Sequence, residues 1–286
     1  MNIPQIFVST SGTKESSIIA AKWLLSIKNI GIELSGGAND EETVQKLQLI
    51  HNLGIGLMLH NYFPPPKIPF VFNLASQRSD IMNSSINLAK NAIRISSDLG
   101  SKYYGVHAGF LVDPVHTELG KPIAKMELFE SIAAIETFQK NIHELAIYAK
   151  KFGVKILVEN NVLSSVNLKT YQSNFLLMVT PEEIFQMMDL LNEEVGFLLD
   201  VGHLKVSGHS LDFDYIEALI LLNERVTGYH LSDNEGIADD HLKFNKDSWF
   251  LGKLSKNAQF ATLEIHSQNL EEIQSSINLL KCSKWI

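Results

Sequence analysis

Along this chain, runs of four or five residues rich in Val, Ile, Leu and aromatics alternate with longer stretches in which apolar positions recur every three or four residues. A short run bounded by turn residues reads as a buried strand, and the longer period reads as an amphipathic helix. Eight such runs can be placed, at residues 5–8, 31–34, 56–59, 103–106, 155–158, 196–199, 226–229 and 261–264. Helical stretches between them include 42–53, 81–99, 128–152, 213–224 and 271–281, and Thr180 ahead of Pro181-Glu182-Glu183 is a good amino-terminal cap. Eightfold alternation predicts an α/β chain, a single (β/α)8 TIM barrel occupying residues 1–286 as one domain. Such a barrel closes one core over roughly 250 residues without splitting.

The stretches that break the periodicity are 61–79, 108–125, 161–179 and 232–247, and each follows a strand. They therefore crown the face of the barrel that carries active sites, where loops of this length serve as lids or binding loops. Pro64-Pro65-Pro66, with Pro69 nearby, stiffens the first of them.

Composition narrows the partners. No apolar run approaches the ~20 residues that cross a bilayer, so no membrane role is expected. The start, MNIPQIFVST, lacks the basic opening and cleavage site of a signal peptide, which predicts a cytoplasmic protein. A lone cysteine, Cys282, excludes an internal disulfide and reads as packing or surface. The net charge of −8 and the presence of just three arginines, Arg78, Arg94 and Arg225, oppose a grip on nucleic acid. A small-molecule partner fits better. The oligomeric state stays open, a homo-oligomer among the options.

Candidate chemistry stands at the strand ends: His60, His107, Glu159, Asp200 with His203, His230 and Glu264. Any one of these alone reads as a hydrogen-bonded core group, but strand ends of one barrel aim at one axis. Glu159, Asp200, His230 and Glu264 come from four consecutive strands and make a hard, mostly oxygen ligand set that suits Mn2+, Mg2+, Co2+ or Zn2+. Without a cation the three carboxylates would repel, and one would stay protonated. In Asp200-Val201-Gly202-His203 the glycine is expected to permit a tight turn that returns His203 over the mouth. Asp239-Asp240-His241 lies on the loop after the seventh strand. Asn160 and Asn161, Tyr62 beside Phe63, Lys205 and Lys67 are candidate substrate contacts, whereas His51, His143, His209 and His266 read as structural or surface residues.

These residues resemble the xylose-isomerase-like TIM-barrel superfamily over essentially the whole chain. It holds sugar isomerases and epimerases, related dehydratases and the endonuclease IV type of abasic-site nuclease, AP endonuclease family 2. In the ketose epimerase branch one metal is held by a Glu, Asp, His, Glu set that matches Glu159, Asp200, His230 and Glu264. There the two glutamates also act as the acid–base pair, and the histidine matching His203 contacts substrate oxygen. The nuclease branch has a three-zinc cluster whose further ligands match His60, His107, His203, Asp239 and His241. Two departures stand out. The strand-two loop, Ser35-Gly36-Gly37-Ala38-Asn39-Asp40, lacks the cation with which that branch contacts DNA. After His230 the chain runs Asp233-Asn234-Glu235-Gly236, where the epimerase branch has an arginine.

The resemblance implies a divalent-metal-dependent isomerase or epimerase of a sugar or sugar phosphate, working through an enediolate with Glu159 and Glu264 as acid and base. The alternative is an endonuclease IV-like phosphoesterase carrying two or three Zn2+. A third reading is a sugar-binding barrel without catalysis.

Overall fold

The computed structural model describes residues 4–12, 22–27, 30–35, 47–49, 51, 52, 54–267, 269–283 and 285. Eight parallel strands close into a barrel in chain order: β1 Gln5–Ser9, β2 Gly31–Ser35, β3 Leu57–His60, β4 Tyr103–His107, β5 Lys155–Glu159, β6 Gly196–Asp200, β7 Val226–Leu231 and β8 Phe260–Leu263. Closure is made by β1, which pairs with both β2 and β8. All eight runs read from the sequence are strands. Most extend past the predicted carboxyl end, so that His60, His107, Glu159 and Asp200 are themselves the last strand residues. β8 instead stops at Leu263, although the Glu264 N–H still donates to the Leu231 carbonyl at 3.1 Å.

Outer helices span Ser79–Asp98, Ser131–Lys150, Pro181–Leu191, Tyr215–Leu222 and Leu270–Cys282. The helix expected at 42–53 lies largely outside the described residues. Thr180 caps as its sequence implies: its hydroxyl accepts from Glu183 N at 3.2 Å, and the Glu183 carboxylate accepts in return from Thr180 N. That reciprocal box, with Pro181 opening the helix, satisfies donors the first turn leaves free. The stretch read as the loop 161–179 holds a short helix, Ser165–Tyr171. No helix among the described residues is long and apolar enough to cross a membrane.

The tight turn expected at Gly202 is not there. A helix, Val201–Leu211, starts directly after β6, and Asp200 caps it by accepting from His203 N at 2.7 Å. Gly202 is required for space: a Cβ there would lie 2.7 Å from the Ser232 hydroxyl oxygen of β7's following residue. The helix, and not a turn, carries His203 back over the mouth.

Inside the barrel, Phe7, Met58, Leu157, Leu198 and Phe260 form an apolar cluster of their own, with Tyr103 packed against it. Phe7 and Phe260 meet edge to face at 5.8 Å. Their rings cross the axis because the neighbouring inward positions are Gly31 and Gly228, where a Cβ would come within 2.4 Å of each ring. Burial of one such ring contributes about 1.5–3 kcal/mol. Below this layer a cavity of about 460 Å3 opens at the amino-terminal ends, between Gln5, Tyr103, Gln259 and Phe260. Above it the inward face of every strand turns polar.

Candidate metal centre at the carboxyl ends of the strands

His230 stands at the middle of the polar layer. Its Nδ1 lies 2.9 Å from Glu264 Oε2, 3.2 Å from Glu159 Oε1 and 3.9 Å from Asp200 Oδ2. Glu159, Asp200 and His230 are fully buried, and Glu264 is 6% exposed. Although close, these atoms are not aligned as hydrogen bonds: His230 Nδ1, Glu159 Oε1 and Asp200 Oδ2 have no hydrogen-bond partner among the described residues. The four side chains offer ligand atoms that all lie within 4.8 Å of one another. Buried atoms left unpaired around one point are what a cation between them would satisfy. One imidazole nitrogen with three carboxylate oxygens can hold a hard divalent ion.

Glu159 joins this cage to a second cluster. Its other oxygen, Oε2, lies 2.6 Å from His60 Nε2 and 3.1 Å from His107 Nε2, and these three residues also meet the spacing of a metal site. A third group sits on the rim, where Asp239 Oδ2 lies 3.1 Å from both His203 Nε2 and His241 Nε2. His203 Nδ1 faces the Asn160 carbonyl at 2.8 Å, which places a proton on that nitrogen. The site opens to solvent at His107 and His241, whose side chains are 29% and 19% exposed.

Electrostatics follow from the crowding. Burial pushes the Asp200 carboxyl up to about 6, with Asp239, Glu159 and Glu264 adding repulsion against the pull of His203. Burial alone would lower His60, His203, His230 and His241, but the carboxylates win. His230, facing Glu33, Glu159 and Glu264, and His203, facing Asp200 and Asp239, are held well above the usual imidazole range. His60 is raised by Glu159, and His241 is raised to about 9 by Asp239 and Glu264. Glu159, Asp239 and Glu264 pay for burial but are drawn below the usual carboxylate range by the surrounding imidazoles. In the metal-free protein, protonated histidines take the place of a cation.

All the predicted ligands, His60, His107, Glu159, Asp200, His203, His230, Asp239, His241 and Glu264, are thus brought to one end of the barrel. The candidate substrate contacts are placed differently. Asn160 spends its amide on the backbone of Asp200, accepting from its N–H at 2.8 Å and donating to its carbonyl at 3.1 Å, so it braces β6. Lys205 pairs with Asp233 at 2.8 Å and with the Asn234 carbonyl, which ties the 201–211 helix to the loop after β7. The Tyr62 hydroxyl accepts from Phe70 N at 2.8 Å, folding its loop upon itself. Asn161 donates to the carbonyls of Ala108, Gly109 and Leu177. Cys282 is exposed. Residues 36–40 of the strand-two loop lie outside the described residues.

Three contributors escaped the sequence reading. Glu33, fully buried in β2, faces His230 Nε2 at 3.0 Å, and Thr262 donates to the same Glu33 oxygen at 2.8 Å. Ser11 donates to Glu264 Oε1 at 3.0 Å. The one available signal was a carboxylate on an inward position of an otherwise apolar strand, Ile32-Glu33-Leu34.

The pattern of the xylose isomerase-like TIM barrel family matches residues 31–281, and the chain belongs to that family. Among its relatives is the Methanocaldococcus jannaschii protein MJ1311, 23% identical over 218 residues, an alignment covering 73% of this chain and 65% of MJ1311. The chain therefore spans about two thirds of that relative's length. Among solved structures, a D-tagatose 3-epimerase-like protein superposes with a TM-score of 0.72 at 17% identity, covering 98% of this chain and 97% of the other. The IOLI protein with a bound zinc atom gives 0.67 at 17% identity, with 99% of each chain covered. At these identities the likeness is one of fold.

Proposed function

We propose that this protein is a divalent-metal-dependent isomerase or epimerase of a small sugar or sugar derivative. The observation that carries the proposal is the cage around His230 Nδ1, in which Glu159 and Glu264 approach one imidazole nitrogen from β5 and from the end of β8. A solved neighbour of the same fold is described as a 3-epimerase-like protein, which adds weight to this reading. Glu159, Asp200, His230 and Glu264 would hold the metal, which when bound supplies positive charge beside the carbonyl and hydroxyl oxygens of a sugar and eases loss of the neighbouring C–H proton. Mn2+, Mg2+, Co2+ and Zn2+ all suit the set, and the zinc in the IOLI structure favours the last.

The chain's own residues do the rest. Glu264, just past the end of β8 and steadied by Ser11, and Glu159, at the end of β5 and bracketed by His60 and His107, are carboxylates from different parts of the barrel. One can take a proton from a carbon while the other returns it from another side, which moves a carbonyl or inverts a stereocentre. His203, fixed by the Asn160 carbonyl, presents Nε2 to the rim and can donate to a substrate oxygen. The test is incubation with ketoses and Mn2+ in D2O. The expected result is a new stereoisomer carrying solvent deuterium, with turnover lost in Glu264→Gln; full activity in that variant would end the mechanism.

A second reading rests on the Glu159 bridge between two clusters. With His60 and His107 as ligands, and His203, Asp239 and His241 on the rim, the same residues suit a phosphoesterase with two or three zinc ions. Its substrate would be a small phosphoester, because Arg78 pairs with Asp80, Arg225 with Asp189, and Arg94 lies on an outer helix. Elemental mass spectrometry on protein purified without chelator separates the readings: close to one metal per chain favours the isomerase, two or three the hydrolase.

A further inference from the structure

Glu33 has no part in the chemistry just described, yet its position is costly. It is fully buried at the inner face of β2, and its Oε1 has no hydrogen-bond partner among the described residues. A carboxylate removed from water is tolerated where a positive or proton-donating group answers it. Among the described residues three do: Thr262 Oγ1 donates to Oε2 at 2.8 Å, His230 Nε2 lies 3.0 Å from that same oxygen, and His60, in one close cluster with Glu33 and His230, is drawn upward by its charge. β8 and β7 thus converge on a single atom of β2.

The geometry has a directional consequence. An imidazole that points Nε2 at a carboxylate keeps a proton on that nitrogen. Once metal displaces the second proton, the lone pair is left on the other nitrogen, Nδ1, which is the one facing Glu159 Oε1, Asp200 Oδ2 and Glu264 Oε2. Turned over, the ring would present a carbon to that cage, and in the other tautomer it would offer an N–H; in neither case could it serve as a ligand there. We infer that Glu33 is a positioning residue for the metal: it holds His230 in the Nε2–H tautomer, orients the ring and makes Nδ1 a stronger donor. Thr262 completes the device by fixing the rotamer of Glu33. This inference rests on the metal-dependent reading above.

The experiment is chelator competition for Zn2+ with wild type, Glu33→Gln and Thr262→Val, together with the visible spectrum of each Co2+-loaded protein. Glu33→Gln is expected to weaken metal binding roughly 10–100-fold and to shift the Co2+ bands, as loss of an outer partner of a histidine ligand does. Thr262→Val is expected to weaken it roughly fivefold, the scale of one lost hydrogen bond. If Glu33→Gln does not fold, Thr262→Val alone decides. Unchanged affinity and spectra, with at most a lower melting temperature, would overturn the inference and leave Glu33 a structural ion-pair partner. Absence of metal binding by the wild type would overturn the metal reading as well.

Discussion

Met58 and His60 share the inward face of β3, Leu157 and Glu159 that of β5, and Leu198 and Asp200 that of β6. The lower member of each pair belongs to the apolar cluster and the upper member to the candidate metal centre. The two levels are separated by one pleat of the same strands and differ in what they contribute. The lower level stabilises by removing carbon from water. The upper level gathers buried carboxylates whose desolvation is offset by histidines in the metal-free protein and, on our reading, by a cation in the working one. The chemistry here is placed on a floor whose packing does not depend on it.

The most severe way to break that division is to move a charge down one pleat. Leu157→Asp places an unpaired carboxylate in the apolar level, a cost comparable with the whole 5–15 kcal/mol or so of domain stability. Circular dichroism is expected to show no folded protein; a folded variant would refute the division. Next is Phe260→Ala, expected to cost about 3–5 kcal/mol in denaturant unfolding while metal affinity, read by calorimetry, stays as in wild type. Replacement within the upper level should act on the metal first. Glu264→Gln is expected to abolish turnover and weaken metal binding, and also to lower the melting temperature of the metal-free protein, because His230 and His241 lose a buried carboxylate that answers their charge.

The smallest effect is in pH dependence. His241 is raised from the ordinary 6.5 to about 9 in the folded chain, so its contribution is complete below pH 6.5 and is lost as pH rises through 9. The metal-free protein should therefore lose about 2–4 °C of melting temperature for each kcal/mol involved across that window. Metal-loaded protein should not follow it, because binding displaces protons from the ligands and tightens as pH rises. A metal-free melting temperature that is flat or rises from pH 6.5 to 9 would contradict the proton placement at the rim.

The floor and most of the centre were legible because both are strand properties. Alternation on a barrel strand assigns sides, and polar residues closing apolar runs stand on the inward side, so His60, His107, Glu159, Asp200 and His230 could be collected without coordinates. What lies along a helix or loop could not. Whether Gly202 makes a turn or a close contact depends on Ser232, just past β7, and the amide of Asn160 is claimed by Asp200, forty residues away. Lys205 was expected at the substrate and is instead bound to Asp233, a choice made by the approach of two βα connections. Glu33 was overlooked because it lies within an apolar run and not at its end.

The apolar floor also sets the traffic of the site. Phe7, Met58, Leu157, Leu198 and Phe260 stop the axis beneath Glu33, and the polar level meets solvent at the other end, by His107 and His241. With the floor closed beneath it, a molecule bound at His230 would leave at the same end of the barrel by which it entered. If product differs from substrate at one carbon, both queue at one doorway: product should act as a purely competitive inhibitor, and occupancy by either isomer should bar the other.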